Sequence, residues 1–239
     1  MGGVAAEDVD LLYFNGTSWS LFFDASDVGI ATTGQDLNDF YIVDSHTILL
    51  TFQAPMTLGA LQVDAWDIVQ FDATSLGSVT AGTFSMYLDG NDVGLDTTSE
   101  NIDGLEVLPD GRVLISTTGS PSVPGVTGND EDILAFTPTT LGDVTSGTWA
   151  MYFDGSDVGL ADTSSEDIDA VDVHSNGDIY LSTLGAFTVT GVSGSNEDVF
   201  ICTPISLGSE TACNFSSSLY FDGSAWGMSA YGLDAINLP

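Results

Sequence analysis

The sequence predicts an all-β protein built from repeated four-stranded units, on three observations. A ten-residue segment returns four times: LFFDASDVGI (21–30), MYLDGNDVGL (86–95), MYFDGSDVGL (151–160) and LYFDGSAWGM (219–228). Its leading aspartates, Asp24, Asp89, Asp154 and Asp222, stand 65, 65 and 68 residues apart. The intervals hold short stretches of two-residue alternation separated by Gly, Asn, Asp and Pro turns, with no capped run of helical periodicity.

Each element of the unit can be placed in order. The first strand is IDAVDV (168–173), with counterparts expected over 37–43, 102–108 and 233–239. A turn such as Ser175-Asn176-Gly177 leads to the second strand, IYLST (179–183). His46 aligns with Gly111 and Gly177 and is expected to be a turn residue. A Gly/Ser/Val-rich loop follows, then a third strand such as DVFICT (198–203). An LG turn then leads to a fourth strand such as WAMYFDG (149–155). One four-stranded sheet cannot bury its own faces, so consecutive units must stack face to face. The expected architecture is a β-propeller of about four blades of four-stranded antiparallel sheets. The units run over about 7–65, 66–130, 131–196 and 197–239 of a single domain, 1–239. The second strand occurs three times, so one blade is shared by the N- and C-terminal segments and closes the ring. A piece of a longer repeat array is the alternative.

The strings IDGLEVLPDGRVLIST (102–117) and IDAVDVHSNGDIYLST (168–183) resemble the strand–turn–strand core of NHL-type and gluconolactonase-like propeller repeats. The resemblance covers about 16 residues per unit and implies the propeller fold. The DGSDVGL segment is outside that pattern. The acidic and His metal ligands of a gluconolactonase-like enzyme have no counterparts here, so no catalytic residue is carried over.

Charge narrows the partners. The 239 residues include 35 acids, 28 of them Asp, against a single base, Arg112, for a formal net charge of −34. Only 15% of residues are charged and 43% are hydrophobic, with a mean hydropathy of +0.22, which is the balance of a folded chain rather than a disordered one. Nucleic acid and anionic lipid both need Lys and Arg to neutralise phosphate, so neither is an expected partner. No apolar run is long enough for a membrane span, and the opening MGGVAAED lacks the features of a signal peptide.

The acids fall in three recurring sets. The first is Asp89 with Asp92, Asp154 with Asp157 and, in variant form, Asp24 with Asp27. Carboxylates three apart around Gly and Ser or Asn fit either a fragment of a calcium loop or a strand-exit turn capped by Asp. The second opens the third strands: Asp8, Asp67, Asp132 and Asp198. The third opens the first strands: Asn38, Asp103, Asp169 and Asp234. If those strands line an axis, this set forms a ring at one mouth of it, and a hard cation such as calcium is its natural neutraliser. Cys202 and Cys213 flank the last hairpin and are placed to staple it by a disulfide, which suits an oxidising compartment.

Neither His46 nor His174 lies in a recognisable catalytic setting, and the abundance of acids makes any carboxylate pair uninformative. The expected function is therefore a non-enzymatic, extracellular or cell-surface module for binding, adhesion or structural display. Calcium or high salt would stabilise it, and its ligand would be a glycan or a protein surface. A halophilic source would also explain the charge. The alternatives are a calcium-dependent hydrolase of glycans or phosphoesters at the propeller mouth, and a lectin-like binder using Trp226. Self-repulsion among uncompensated acids destabilises the compact state and is relieved by screening. The melting temperature should therefore rise with CaCl2 or NaCl. An unchanged value in low salt with EDTA would contradict any role for cations.

Overall fold

In the computed structural model, residues 3–30 and 36–238 are described; Met1, Gly2, residues 31–35 and Pro239, the end of the fourth expected first strand, lie outside them. Two four-stranded antiparallel sheets and a third with a fifth short strand added follow one another along the chain. The first comprises Leu37–Ile42, Thr47–Phe52, Ile68–Ser75 and Ala81–Leu88. The second comprises Ile102–Val107, Val113–Thr117, Ile133–Thr140 and Ser146–Phe153. The third comprises Ile168–Val173, Ile179–Thr183, Asp198–Ser206 and Ala212–Phe215, with Phe221–Asp222 also pairing on the 198–206 strand. A two-stranded N-terminal hairpin, Leu11–Phe14 with Trp19–Phe23, precedes them.

The second strands are almost wholly buried because each sheet is covered on both faces. Their side chains alternate between two cores. Ile48 and Leu50 join the N-terminal hairpin residues Leu11 and Phe23, whereas Leu49 joins Leu105 and Ile115 of the second sheet. Leu114 in turn packs with Ile179, Leu181 and Phe200 of the third sheet. Tyr180 faces the C-terminal residue Ile236. The layers therefore run hairpin, three sheets, C-terminal segment. Phe14 of the hairpin meets the C-terminal unit at Phe221 and Trp226, with ring centroids 6.1 and 4.7 Å apart.

Two features were not expected. The loop between the second and third strands carries its own small hairpin in every sheet: Met56–Leu58 with Leu61–Val63, Ser122–Val123 with Val126–Thr127, and Phe187–Val189 with Val192–Gly194. Residues 233–238 form no assigned strand, although they lie where a fourth first strand was expected. Their backbone is nonetheless held as its counterparts are. Leu233 N–H donates to Asn196 O, as Ile168 does to Asp130 O and Ile102 to Ala65 O.

The third sheet solves a packing problem differently from the others. A Cβ on Gly147 would stand 2.4 Å from Phe136 Cζ, and one on Gly82 would stand 2.5 Å from Phe71 Cζ. In the third sheet Cys202 and Cys213 hold the places of that Phe and Gly, and they are joined by a disulfide with Cα atoms 5.4 Å apart. A ring over a glycine is thus replaced by a covalent cross-link of similar bulk. Gly147→Ala should destabilise the fold by about 1–3 kcal/mol through overpacking. At roughly 2–4 °C per kcal/mol for a chain of this size, a melting curve will resolve it. A wild-type melting temperature in that variant would mean that Phe136 yields freely.

Candidate functional site

The first strands of the three sheets lie against one another, so the carboxylates they carry converge. Each of these strands has a register irregularity at the same place, around Asn38 and Asp39, at Asp103 and at Asp169. An extra residue at a bulge resets the two-residue alternation. Asp103 and Glu106, three apart, therefore need not point to opposite faces, and the same holds for Asp169 and Asp172.

At the end where these strands begin, Asp39, Asp103 and Asp169 are buried. Asp39 accepts backbone N–H groups from Phe40 and from Leu105 of the next sheet. Asp103 accepts the Ser116 hydroxyl at 2.9 Å. Asp169 has no donor on either oxygen. Asn38 donates to Ile102 O at 2.9 Å, and so bridges two sheets rather than holding a charge. Burial pushes all three buried Asp carboxyls well above their usual range; for Asp103 the next cause is Asp167, and for Asp169 it is Asp234. Asp234 is raised too, by desolvation and by Asp8. Asn38, Asp103, Asp169 and Asp234 thus come from corresponding positions, and the three acids among them lie in electrostatic reach of their neighbours. Asp39 was not foreseen, because it sits one residue out of register with the repeated acid.

At the other end the strands open into a pocket of about 310 Å³, lined by residues that include Tyr41, Glu106, Asp172, His174 and Asn237. Glu106 accepts Val173 N–H at 3.2 Å, and Asp172 accepts Leu238 N–H at 2.8 Å. One acid per unit therefore ties its strand to the next, 66 or 67 residues along. Desolvation, then Asp172, raises Glu106 to about 8. Asp172 is raised by its burial.

The remaining acid sets lie away from these strands and hold protein donors. Asp67, Asp132 and Asp198 each accept two N–H groups, one three residues earlier and one from Gly90, Gly155 or Gly223 of the DG segment. In the N-terminal hairpin this role belongs to Asp10, which accepts from Glu7 and Ala25. Asp8 was expected there, and the correction is one of register: Asp10, not Asp8, stands three residues after the donor. The DG[SN]DVG acids form a clamp between units. Asp92 accepts Thr145 N–H and Asp157 accepts Thr211 N–H, both at 2.9 Å, while Asp27 does the same for Thr80. The Thr hydroxyls accept from the N–H groups of Asp89, Asp154 and Asp24. The side chains of Asp89 and Asp154 cap their own turns through Asn91 N–H and the Ser156 hydroxyl.

No protein-family model matches this chain, and no curated protein matches it in sequence.

The buried acids carry a pH dependence of definite sign. A carboxyl raised in the folded state binds its proton more tightly there than in the unfolded chain. Stability then falls as pH rises from about 4 toward the folded value. For Glu106 that value is about 8, and Asp39, Asp103 and Asp169 act in the same direction. Glu100 opposes them only at lower pH, since donors from Asp96, Ser122 and Thr97 hold it below its usual range. In EDTA, the melting temperature should therefore rise as pH is lowered from 8 to 5. A steady fall over that interval would show these acids to be solvated.

Proposed function

We propose that the chain is a four-bladed β-propeller acting as a non-enzymatic, extracellular, acidic module for binding, adhesion or display, stabilised by calcium or high salt. The carrying observation is the meeting of the two chain ends: Phe14 of the N-terminal hairpin packs 4.7 Å from Trp226 of the C-terminal unit. This contact supports a blade shared between the ends. The 233–238 segment supports it as well, because its hydrogen bonds repeat those of the first strands. The ligand surface in this reading is the open pocket at Tyr41, Glu106, Asp172, His174 and Asn237, and the ligand is a glycan or a protein surface. The disulfide favours an oxidising compartment.

Two other readings each rest on one observation. Glu106 and Asp172 share the pocket with raised proton affinities, as a general acid and its partner would in a hydrolase. Against it, both already accept a backbone N–H, Glu106 from the next sheet's first strand and Asp172 from the C-terminal segment. A lectin-like reading rests on Trp226, which remains 43% exposed beside its contact with Phe14 and so offers surface to a sugar. A glycan array with and without Ca²⁺, followed by a glycoside and phosphoester panel, separates the three. Binding without turnover that is lost in Glu106→Gln supports the module. Binding lost instead in Trp226→Ala supports the lectin-like surface. Cleavage abolished by Glu106→Gln supports the hydrolase and overturns the proposal.

A further inference from the structure

We propose that the junction of the second and third units binds one calcium ion through Asp130, Glu131 and Asp162. The inference deepens the cation requirement of the preceding reading and rests on it only for that requirement. Asp130 and Glu131 precede the Ile133–Thr140 strand, and Asp162 lies on the loop leading to Ile168–Val173. One oxygen from each carboxylate lies within 4.8 Å of the others. Calcium is held at about 2.3–2.6 Å by each oxygen, so ligands on opposite sides of it stand about 5 Å apart. The three oxygens have the spacing of a coordination shell.

The second observation is independent of that spacing. Glu131 is fully buried at 0% exposure, and neither of its oxygens has a donor. Asp130 Oδ1 is also buried and without a partner. Ionised carboxylates can only accept, so each bare oxygen needs a donor, a proton or a cation. The position leaves no room for a side-chain donor from the adjoining turn: a Cβ on Gly155 would fall 2.2 Å from Glu131 O and 2.7 Å from its Cγ. Asp167, whose Oδ1 is likewise bare, lies close enough that Asp130 and Glu131 add to the desolvation that raises its proton affinity.

Comparison between units shows that the combination of the three acids is not repeated. The residues whose carbonyls receive the start of each first strand are Ala65, Asp130 and Asn196. Trp66 and Glu197 follow the outer two where Glu131 follows Asp130, and Asn101 aligns with Asp167. The scaffold acids Asp67, Asp132 and Asp198, by contrast, are present in every unit. Glu197 holds the place of Glu131, and Asp96 that of Asp162, so Asp130 is the acid peculiar to this junction, and among the described residues only here do three such carboxylates come together. All the ligand atoms are hard oxygens, which excludes a thiolate or imidazole type of zinc site and suits calcium. Asp162 is exposed and provides the way in.

The test uses the full chain, stripped with EDTA and titrated with CaCl2 by calorimetry, with melting curves at ionic strength held constant by NaCl. One Ca²⁺ per chain should bind and raise the melting temperature. Asp162→Asn, at an exposed position that does not threaten folding, should weaken binding about tenfold or more. Glu131→Gln should abolish it, while raising the melting temperature of the metal-free protein by removing a buried charge. Asp143→Asn, in a distant turn, should bind as wild type does. The site is overturned if wild type shows no saturable binding up to millimolar Ca²⁺, or if Asp162→Asn binds like wild type. An equal response to CaCl2 and NaCl at matched ionic strength also overturns it, but leaves a salt-stabilised binding module standing. Calcium bound here with no glycan or protein ligand at the pocket would have the opposite consequence.

Discussion

An ionised carboxylate accepts hydrogen bonds and never donates them, and in this chain almost no Lys or Arg exists to meet it. The one ion pair among the described residues, Arg112 with Asp110 at 2.9 Å, is at the surface and contributes little. Every other acid drawn inward must find a backbone N–H, a hydroxyl, a proton or a cation. The architecture supplies backbone N–H groups where one unit meets the next. Asp27, Asp92 and Asp157 reach the turn threonine of the following unit. Asp39 and Glu106 reach the following first strand, and Asp172 reaches the C-terminal segment in the corresponding place. Charge-assisted bonds of this kind are stronger than neutral ones. They also have direction, which apolar packing between sheets lacks.

Packing and polar contacts therefore divide the work. The alternating second strands bind the sheets face to face through Leu49, Leu114 and Tyr180 and their neighbours. The carboxylate contacts set the register of each unit on the next. The Phe–Gly pair of the first two sheets and the disulfide of the third show that the hydrophobic layer tolerates exchange when volume is kept. The clamp tolerates less. Where the fourth DG segment has Ala225 in place of the second acid, its first acid, Asp222, accepts the Ala225 N–H and only caps its own turn.

Some buried acids are left without donors by this arrangement. Asp169, Asp130 and Glu131 have bare buried oxygens, and desolvation dominates the raised proton affinity of Asp169 and Glu131. A low-dielectric position stores electrostatic energy that a proton or a cation releases. A proton and, in the proposed reading, a calcium ion would therefore act on the same groups.

By itself, the sequence determined the all-β class, the 65-residue period, the order of strands in a unit and the recurrence of the acids, because all of these are local patterns of alternation and turn chemistry. Those patterns are visible in the strings around Asp89, Asp154 and Asp169. Tertiary structure decided which acid does what. A bulge shifts parity without leaving a mark in composition, so Asp39 joins the buried group while its neighbour Asn38 bridges to Ile102. The donor to Asp92 lies 53 residues away at Thr145, a distance no local pattern encodes. The gathering of Asp130, Glu131 and Asp162 depends on two loops meeting in space. Periodicity reports which face a side chain takes within its own strand; only the packed fold decides what that face meets.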